Sequence, residues 1–470
     1  MAREKKLKRG AALRLEVPYS ADAPRLTSEA VGLVRVMHRP AANRASLTTV
    51  FDVPDGRLLR DGVVVTHRVE DGVGQWRLEA PRWAPPLPEQ RNVPMSSSGD
   101  LPEEFHRLLR PFIRHGVLGP IAGIAVESDE WALRDEDGEP VAEVRDQLVT
   151  IRRSGLTTAR FREITITASQ TLTPAQVEFL LEAGRAVNAT QVDEFPSLQQ
   201  RLGAPATGLT NFPEPQPVGR DSTMEQFVSE VFARHLRAIL RSDLERRAAA
   251  LDGDAQGGLG PVNARLWEFG RDLRGLAPVL EPGWRQSVEE LLGGLPFESD
   301  ADLDVPVPAV LEALIGAVQA PRLGDLSQRS AEQVLFDRAE AATYILADRC
   351  RALTQSSPDE RWAGALMAAE QLEVAAAVAT PLFRKSFGRL RAQLEEVTED
   401  LRGSVSASLD GEPELDGLSA NQAYQLGLDS ERTRSRVRGN RELFIQRWPE
   451  RVVAARKALA KAGRKRKVNR

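Results

Sequence analysis

This 470-residue sequence contains few side chains that could act as a nucleophile, and few that are spaced as the ligands of a metal site would be. There is one cysteine, Cys350, and the five histidines are scattered without the spacing of zinc or iron ligands. Cys350 lies in a helical run rich in alanine and leucine, which favours a core or boundary residue over a nucleophile. Any chemistry must therefore come mainly from charged side chains.

Basic side chains are concentrated at the two ends of the chain. Residues 1–9 carry five basic groups and one acid, and residues 456–470 carry eight basic groups and no acid. Because the whole chain has a formal charge of −4 and the ends contribute +4 and +8, residues 10–455 carry −16. Such a body repels polyanions. The basic ends either keep the protein soluble or contact nucleic acid, polyphosphate or an acidic partner.

Length and composition indicate a globular protein of two domains. Domains typically contain about 100–200 residues, and 41% hydrophobic with 28% charged residues is a globular balance. The most apolar stretch, residues 372–383, is shorter than the roughly 18 residues of a membrane span and contains Glu373. No apolar segment follows the first basic residues, as it would in a secretory signal. We therefore expect a cytoplasmic protein with no membrane contact.

The elements that must position the charged groups differ between the two halves. Residues 11–167 are strand-like, with alternation at 13–17 and β-branched runs at 48–51, 63–66 and 162–167. One amphipathic helix is predicted at 101–115. A second is predicted to open with Thr173 as N-cap and Pro174 at its first position.

From residue 222 the apolar residues recur with a helical period. This predicts helices near 222–250, 262–281, 308–320, 328–355, 359–380, 383–403 and 428–461. Residues 203–221 hold four prolines and three glycines, the composition of an interdomain linker. We predict a largely β domain over 1–202, a linker over 203–221, and an all-α domain over 222–470 that ends in the basic tail.

Four segments of the first half form a recognisable series. Residues 50–58 contain an aromatic-Asp-x-Pro-Asp-x-Arg-Leu hairpin, followed by Gly-Val at 62–63. Three later segments read Trp-Arg-Leu-Glu at 76–79, Ala-Glu-Val-Arg-Asp at 142–146 and Phe-Arg-Glu-Ile at 161–164. Together, and in this order, they resemble the signature of the CYTH family of triphosphate-tunnel domains.

The resemblance implies an antiparallel β-barrel whose lumen holds a triphosphate on basic side chains and Mg²⁺ or Mn²⁺ on carboxylates. The phosphate-binding candidates in this half are Arg14, Arg57, Arg68 and Arg162, and the candidate metal ligands are Glu143, Asp146 and Glu163. The expected fold class is α+β, an N-terminal triphosphate-tunnel-like barrel followed by a C-terminal all-α helical bundle.

Several positions depart from the family pattern. The N-terminal strand should read Glu-x-Glu-x-Lys, and those places fall on Gly10, Ala12 and Arg14. The lysine of Trp-x-Leu-Lys is replaced by Glu79, and a usual basic run by Glu-Ser-Asp-Glu at 127–130. Losing one member of such a constellation commonly lowers the rate by orders of magnitude. We expect the remaining charges to form ion pairs, and we assign no catalytic residue.

The second half resembles a CHAD domain, which normally follows CYTH and binds polyphosphate. Residues 276–280 resemble the end of its first basic helix, and residues 423–448 its closing helices. Among the family's basic positions only Arg271 and Arg274 remain, and Arg274 is a further phosphate-binding candidate. No Arg or Lys occurs between Arg361 and Arg384. A face with so few cations should bind little polyanion at physiological salt.

These observations predict a CYTH-CHAD-like protein that has lost catalysis and acts as a binding or scaffold module linked to polyphosphate or phosphate metabolism. Its partner would be a protein or a polyanion. The alternative is an inorganic triphosphatase or polyphosphatase that uses Mg²⁺ or Mn²⁺ and the surviving residues. A third hypothesis is capture of nucleic acid or polyphosphate by the basic tails.

Overall fold

The alternating residues of the first half form one antiparallel sheet in the computed structural model, which describes residues 6–39, 44–96, 99–204, 206–251, 258–405 and 419–468. The ten strands are β1 (Ala12–Val17), β2 (Arg35–His38), β3 (Arg44–Asp52), β4 (Val64–Glu70), β5 (Val73–Glu79), β6 (Gln90–Pro94), β7 (Gly119–Arg134), β8 (Pro140–Arg153), β9 (Leu156–Ala168) and β10 (Thr190–Val192). Their order is β10-β1-β9-β8-β7-β3-β4-β5-β6, with β2 paired to β7.

The expected closure into a barrel was wrong. Within the described residues the strand path is open, with β10 at one edge and β6 at the other. Both edge strands are short, three and five residues. In β6, Pro94 has no backbone N–H to donate to a further strand. The coarser expectation, an antiparallel sheet followed by a helical region, is confirmed.

One face of the sheet is covered by a helix. Leu13, Leu15 and Val17 alternate along β1, and their apolar partners on β9 include Ile164 and Ile166. Helix α3 (Pro174–Ala186) packs on this cluster, which we call the core face. It begins as predicted, with the Thr173 hydroxyl and the Gln176 side chain capping each other's backbone N–H. Three shorter helices accompany the sheet, α1 (Arg57–Arg60), α2 (Glu103–Ile113) and α4 (Leu198–Leu202).

The second half is helical, as predicted. Its helices are α5 (Met224–Leu251), α6 (Leu259–Leu276), α7 (Pro282–Leu292), α8 (Asp300–Leu303), α9 (Pro306–Gln319), α10 (Ala331–Arg351), α11 (Asp359–Phe383), α12 (Lys385–Ser404) and α13 (Ala420–Val468). Seven of them match predicted segments, while α7 and α8 were not predicted. Pro282 and the glycines at 283, 293 and 294 resemble loop residues, although proline is well tolerated at the first helical position.

The chain divides into two compact units. Unit 1 comprises Met1–Pro213 and Leu244–Ala255, and unit 2 comprises Glu214–Asp243 and Gln256–Arg470. Residues 203–213 of the expected linker thus belong to unit 1. The domain limits at 202 and 222 remain a prediction.

Helix α11 is long and apolar enough to cross a membrane by length and composition alone. It packs against α6, α10 and α12 of unit 2, and Trp362, Leu372 and Ala376 are fully buried. This packing accounts for its apolar composition as that of a core helix. The cytoplasmic location remains a prediction.

Candidate functional site

The face of the sheet opposite the core face carries most of its charged side chains. Residues paired across neighbouring strands point to the same side. Glu163 on β9 pairs with Gln147 on β8, which pairs with Ser128 on β7 and, through it, with Arg44 on β3. We call this side the polar face.

A pocket of about 370 Å³ lies on the polar face. It is lined by side chains from β3, β4, β7 and β8, namely Arg44, Ser46, Arg68, Glu70, Val126, Ser128, Glu130, Arg145 and Gln147. We call these residues the arginine pocket. Its three arginines and two glutamates have a formal charge of +1.

Each arginine of the pocket is paired with one of its glutamates. Glu70 contacts Arg44 at 2.8 Å and Arg68 at 2.9 Å, and Glu130 contacts Arg145 at 2.7 Å. The hydrogen bond and the charge of Glu70 raise the pKa of Arg44 above its usual value. The pocket thus holds a network of alternating charges.

The glutamates lie deeper in the pocket than the arginines. The side chains of Glu70 and Glu130 are 20% and 22% exposed, whereas those of Arg44 and Arg145 are 62% and 56% exposed. A guanidinium has five N–H donors, so a pair with one carboxylate leaves donors for a second acceptor. The rim can therefore bind an anion without breaking the internal ion pairs.

Of the residues predicted from the sequence, Arg68 alone lines the arginine pocket. Arg14 and Glu143 lie on the polar face outside it. Arg14 donates to the backbone carbonyl of Asp193 at 2.8 Å, and Glu143 pairs with Arg39 at 2.8 Å. These two candidates are therefore not brought together with Arg68.

Arg162 and Asp146 lie on the core face. Asp146 pairs across the strands with Ile164, a residue of the apolar cluster. The Arg162 guanidinium binds the Asp146 carboxylate through two nitrogens, at 3.1 Å and 2.7 Å, and both side chains are almost fully buried. The hydrogen bonds that Arg162 donates to the Asp146 carboxylate raise the pKa of Arg162. This pair has the geometry of a structural ion pair.

Arg57 and Arg274 lie outside the sheet. Arg57 belongs to α1, where it pairs with Asp55 at 3.0 Å and donates to the carbonyl of Ile113. Partial burial raises the pKa of Asp55, but the hydrogen bonds and charge of Arg57 outweigh it and lower the pKa overall. Arg274 is exposed on α6 of unit 2. The phosphate-binding roles of these residues remain predictions.

Glu163 is closed off by a residue of α4. It lies on the polar face, is almost buried, and is ion-paired with Arg201, whose guanidinium also stacks on the Phe161 ring. Burial raises the pKa of Glu163, although the hydrogen bond from Arg201 lowers it in part. Leu202 packs beside it on a second apolar cluster of the same face, around Val149. Helix α4 therefore covers part of the polar face.

The carboxylates predicted to hold Mg²⁺ or Mn²⁺ do not form one site. Glu143 and Glu163 lie on the polar face and Asp146 on the core face, and each binds a different arginine. In the described ranges no three His, Cys, Asp or Glu residues are grouped as metal ligands would be. The three predicted ligands therefore do not fit a divalent-cation site.

Sequence reasoning missed four of the five charged residues of the arginine pocket, Arg44, Glu70, Glu130 and Arg145. The available signal was the alternation of polar residues along their strands, such as Arg44, Ser46 and Thr48 on β3. Glu130 was noted in the sequence only as part of an acidic run that replaces basic residues of the CYTH pattern.

In unit 2 a histidine and an acid form a buried pair. His235 on α5 contacts Asp272 on α6 at 2.9 Å, and Arg271 binds the other oxygen of Asp272 at 3.0 Å. Burial raises the pKa of Asp272, but the hydrogen bond and charge of His235 outweigh it and lower the pKa overall. Arg271, one of the two basic residues singled out in the sequence analysis of this half, is thus held by a carboxylate.

Comparisons with known proteins give little further information. No family model and no curated protein matches the sequence. Five solved chains are similar to it, among them a "putative adenylate cyclase" from Bacillus halodurans, at 12% identity and a TM-score of 0.22. The match covers 37% of this chain and 98% of that one. A TM-score this low carries no weight for fold or activity.

Proposed function

We propose that this chain is a CYTH-CHAD-like protein whose unit 1 is a non-catalytic binding module for a small anion. The observation that carries the proposal is the arginine pocket, in which three arginines converge and each is already paired with a glutamate. A net charge of +1 suits an anion of one or two charges. A triphosphate carries roughly three to five charges and would need more uncompensated cations.

Binding is tested by isothermal titration calorimetry of the full chain with inorganic phosphate. Arg68→Gln removes one guanidinium, and we expect it to weaken binding by about tenfold, the worth of one charge-assisted hydrogen bond. Arg185→Gln is the matched control, because Arg185 pairs with Glu178 on the exposed side of α3. Equal affinity of the wild type and the Arg68 variant would contradict the proposal.

Loss of catalysis is tested separately, by orthophosphate release from tripolyphosphate with Mg²⁺ or Mn²⁺. We expect no release above background, because the predicted metal ligands are held by arginines on two different faces. The alternative, a metal-dependent triphosphatase, is favoured by one observation: Glu70 and Glu130 lie beside three arginines in one pocket. If the wild type releases orthophosphate and the Glu130→Gln variant does not, the alternative is supported and the non-catalytic proposal is wrong.

We also propose that the basic end of the chain contacts nucleic acid or polyphosphate. Support comes from its charge, eight basic residues and no acid over 456–470. Deletion of the whole segment is a poor test, because Leu459 and Ala462 are buried. Replacing residues 464–467 (Arg-Lys-Arg-Lys) by glutamine removes four of the eight basic groups and leaves Leu459 and Ala462 in the chain. Binding to nucleic acid or polyphosphate is measured by gel shift. If this variant binds as tightly as the wild type, the proposal is contradicted.

A further inference from the structure

Helices α11 and α12 of unit 2 meet without a loop. Arg384 is at once the residue that ends one helix and the N-cap of the next, with φ of 36°. The Phe383 and Phe387 rings stack across this junction at 4.4 Å. The start of α12 is therefore fixed in place beside the end of α11.

A cavity of about 420 Å³ opens at this junction. Of the ten residues that line it, Arg220, Arg384 and Lys385 are cations and none is a carboxylate. Arg220 is 3.7 Å from Glu332, whereas in the described part of the chain Arg384 and Lys385 have no ion-pair partner. The remaining wall is mainly apolar, with Leu382 and Phe383 among its residues. The cavity thus combines positive charge with an apolar surface.

The wall of the cavity also contains polar donors. The first N–H groups of a helix have no intrahelical acceptor, and no side chain caps the N-terminus of the 20-residue helix α12. Ser386 lines the cavity and is 7% exposed, and within the described ranges its hydroxyl makes no hydrogen bond. This hydroxyl is therefore available to a molecule in the cavity.

We propose that this cavity is a binding site for a small phosphomonoester. The phosphate would lie at the N-terminus of α12, bonded by its N–H groups, the Ser386 hydroxyl and the side chains of Arg384 and Lys385. The organic part would lie against the apolar wall, and the volume is within the range of small-molecule sites. This site is separate from the arginine pocket and does not depend on the function proposed for it.

The test is calorimetry with glycerol 3-phosphate, in a full chain that also carries Arg68→Gln so that any binding at the arginine pocket is weakened by about tenfold. We expect saturable binding, no binding of glycerol, and a loss of about tenfold in affinity on Lys385→Gln or Ser386→Ala. Arg389→Gln is the matched control, because Arg389 is exposed one turn further along α12 and outside the cavity. If Arg389→Gln lowers the affinity as much as Lys385→Gln does, the effect comes from the overall charge of the protein, and the proposal is wrong.

A second variant separates binding from folding. Arg384 has a left-handed φ that glycine adopts without strain, so Arg384→Gly should keep or raise the melting temperature while it removes the guanidinium. We expect weaker glycerol 3-phosphate binding in a protein that is at least as stable. Unchanged affinity in this variant, or no saturable binding by the parent chain, would refute the site.

Discussion

The carboxylate of Asp61 accepts two hydrogen bonds from Asn211, one from its backbone N–H at 2.8 Å and one from its side-chain amide at 3.0 Å. The Thr210 hydroxyl donates a third at 2.9 Å. Beside them the Trp83 and Phe212 rings meet edge to face. These contacts hold residues 210–212 against Asp61, which lies 150 positions before Asn211 in the sequence.

Asp61→Ala should destabilise unit 1 by about 2–4 kcal/mol, because it leaves buried donors of Thr210 and Asn211 without an acceptor. Asp137→Ala is the control, since Asp137 is exposed in the turn between β7 and β8, and we expect a change within about 0.5 kcal/mol. Urea unfolding followed by tryptophan fluorescence measures both. Equal midpoints for the two variants would disprove the structural role of Asp61.

Arg201→Ala should destabilise the protein by about 3–5 kcal/mol at neutral pH, because Glu163 then remains buried without its cation. Burial already raises the pKa of Glu163 above its value in the unfolded chain. Protonation therefore favours the folded state, and the deficit should shrink as pH falls through the raised pKa.

The control for this effect is the double variant Arg201→Ala/Glu163→Gln. It has the same loss of stacking on Phe161 but no buried charge, so its deficit should be smaller and independent of the protonation of residue 163. Urea unfolding at about pH 5 and about pH 8 compares the two. A deficit of the single variant that is the same at both pH values would argue against a buried, unpaired carboxylate.

Gly275→Ala should destabilise unit 2 by about 1–3 kcal/mol through overpacking. A Cβ at this position of α6 would lie 2.7 Å from the backbone oxygen of Val374 on α11, so the two helices would have to separate. Gly316→Ala on α9 is the control, because nothing lies within 4 Å of its Cβ and alanine favours helix by about 0.5–1 kcal/mol. In thermal unfolding, the melting temperatures of the two variants should shift in opposite directions. A shift in the same direction would contradict the close approach of α6 and α11 at Gly275.

Cys350 should react slowly with thiol reagents in the native protein. Burial raises its pKa to about 12, and the thiolate is the reactive form. Since the chain has one cysteine, labelling with Ellman's reagent reports this site alone. We expect the native rate to be at least about 100-fold below the rate in guanidinium chloride. Comparable rates would show that α10 is not packed as the structure has it.

Periodicity predicted most elements of the fold because it is a local property. The alternation at 13–17 places three apolar residues on the core face whatever the neighbouring strand is, and Thr173 with Pro174 defines a helix start by itself. Closure of the sheet is not local. It depends on whether β6 and β10 meet, which no single segment of the sequence encodes.

The site could be predicted only in part, because its residues are selected by strand register. Arg145 and Asp146 are neighbours in sequence but point to opposite faces, one to the arginine pocket and the other to Arg162 on the core face. The partner of Glu163 comes from α4, a five-residue helix next to the expected linker. The composition of that segment gave no sign of a contact with the sheet.

The open ends of the sheet also bear on how copies of the protein behave in solution. An unpaired edge offers backbone groups to another chain and is a common start of aggregation. Here one edge is only three residues long, and the other carries Pro94 and the charged Arg91, which is held by Glu104 at 2.6 Å. These two edges are therefore poor templates for strand-to-strand association with a second molecule.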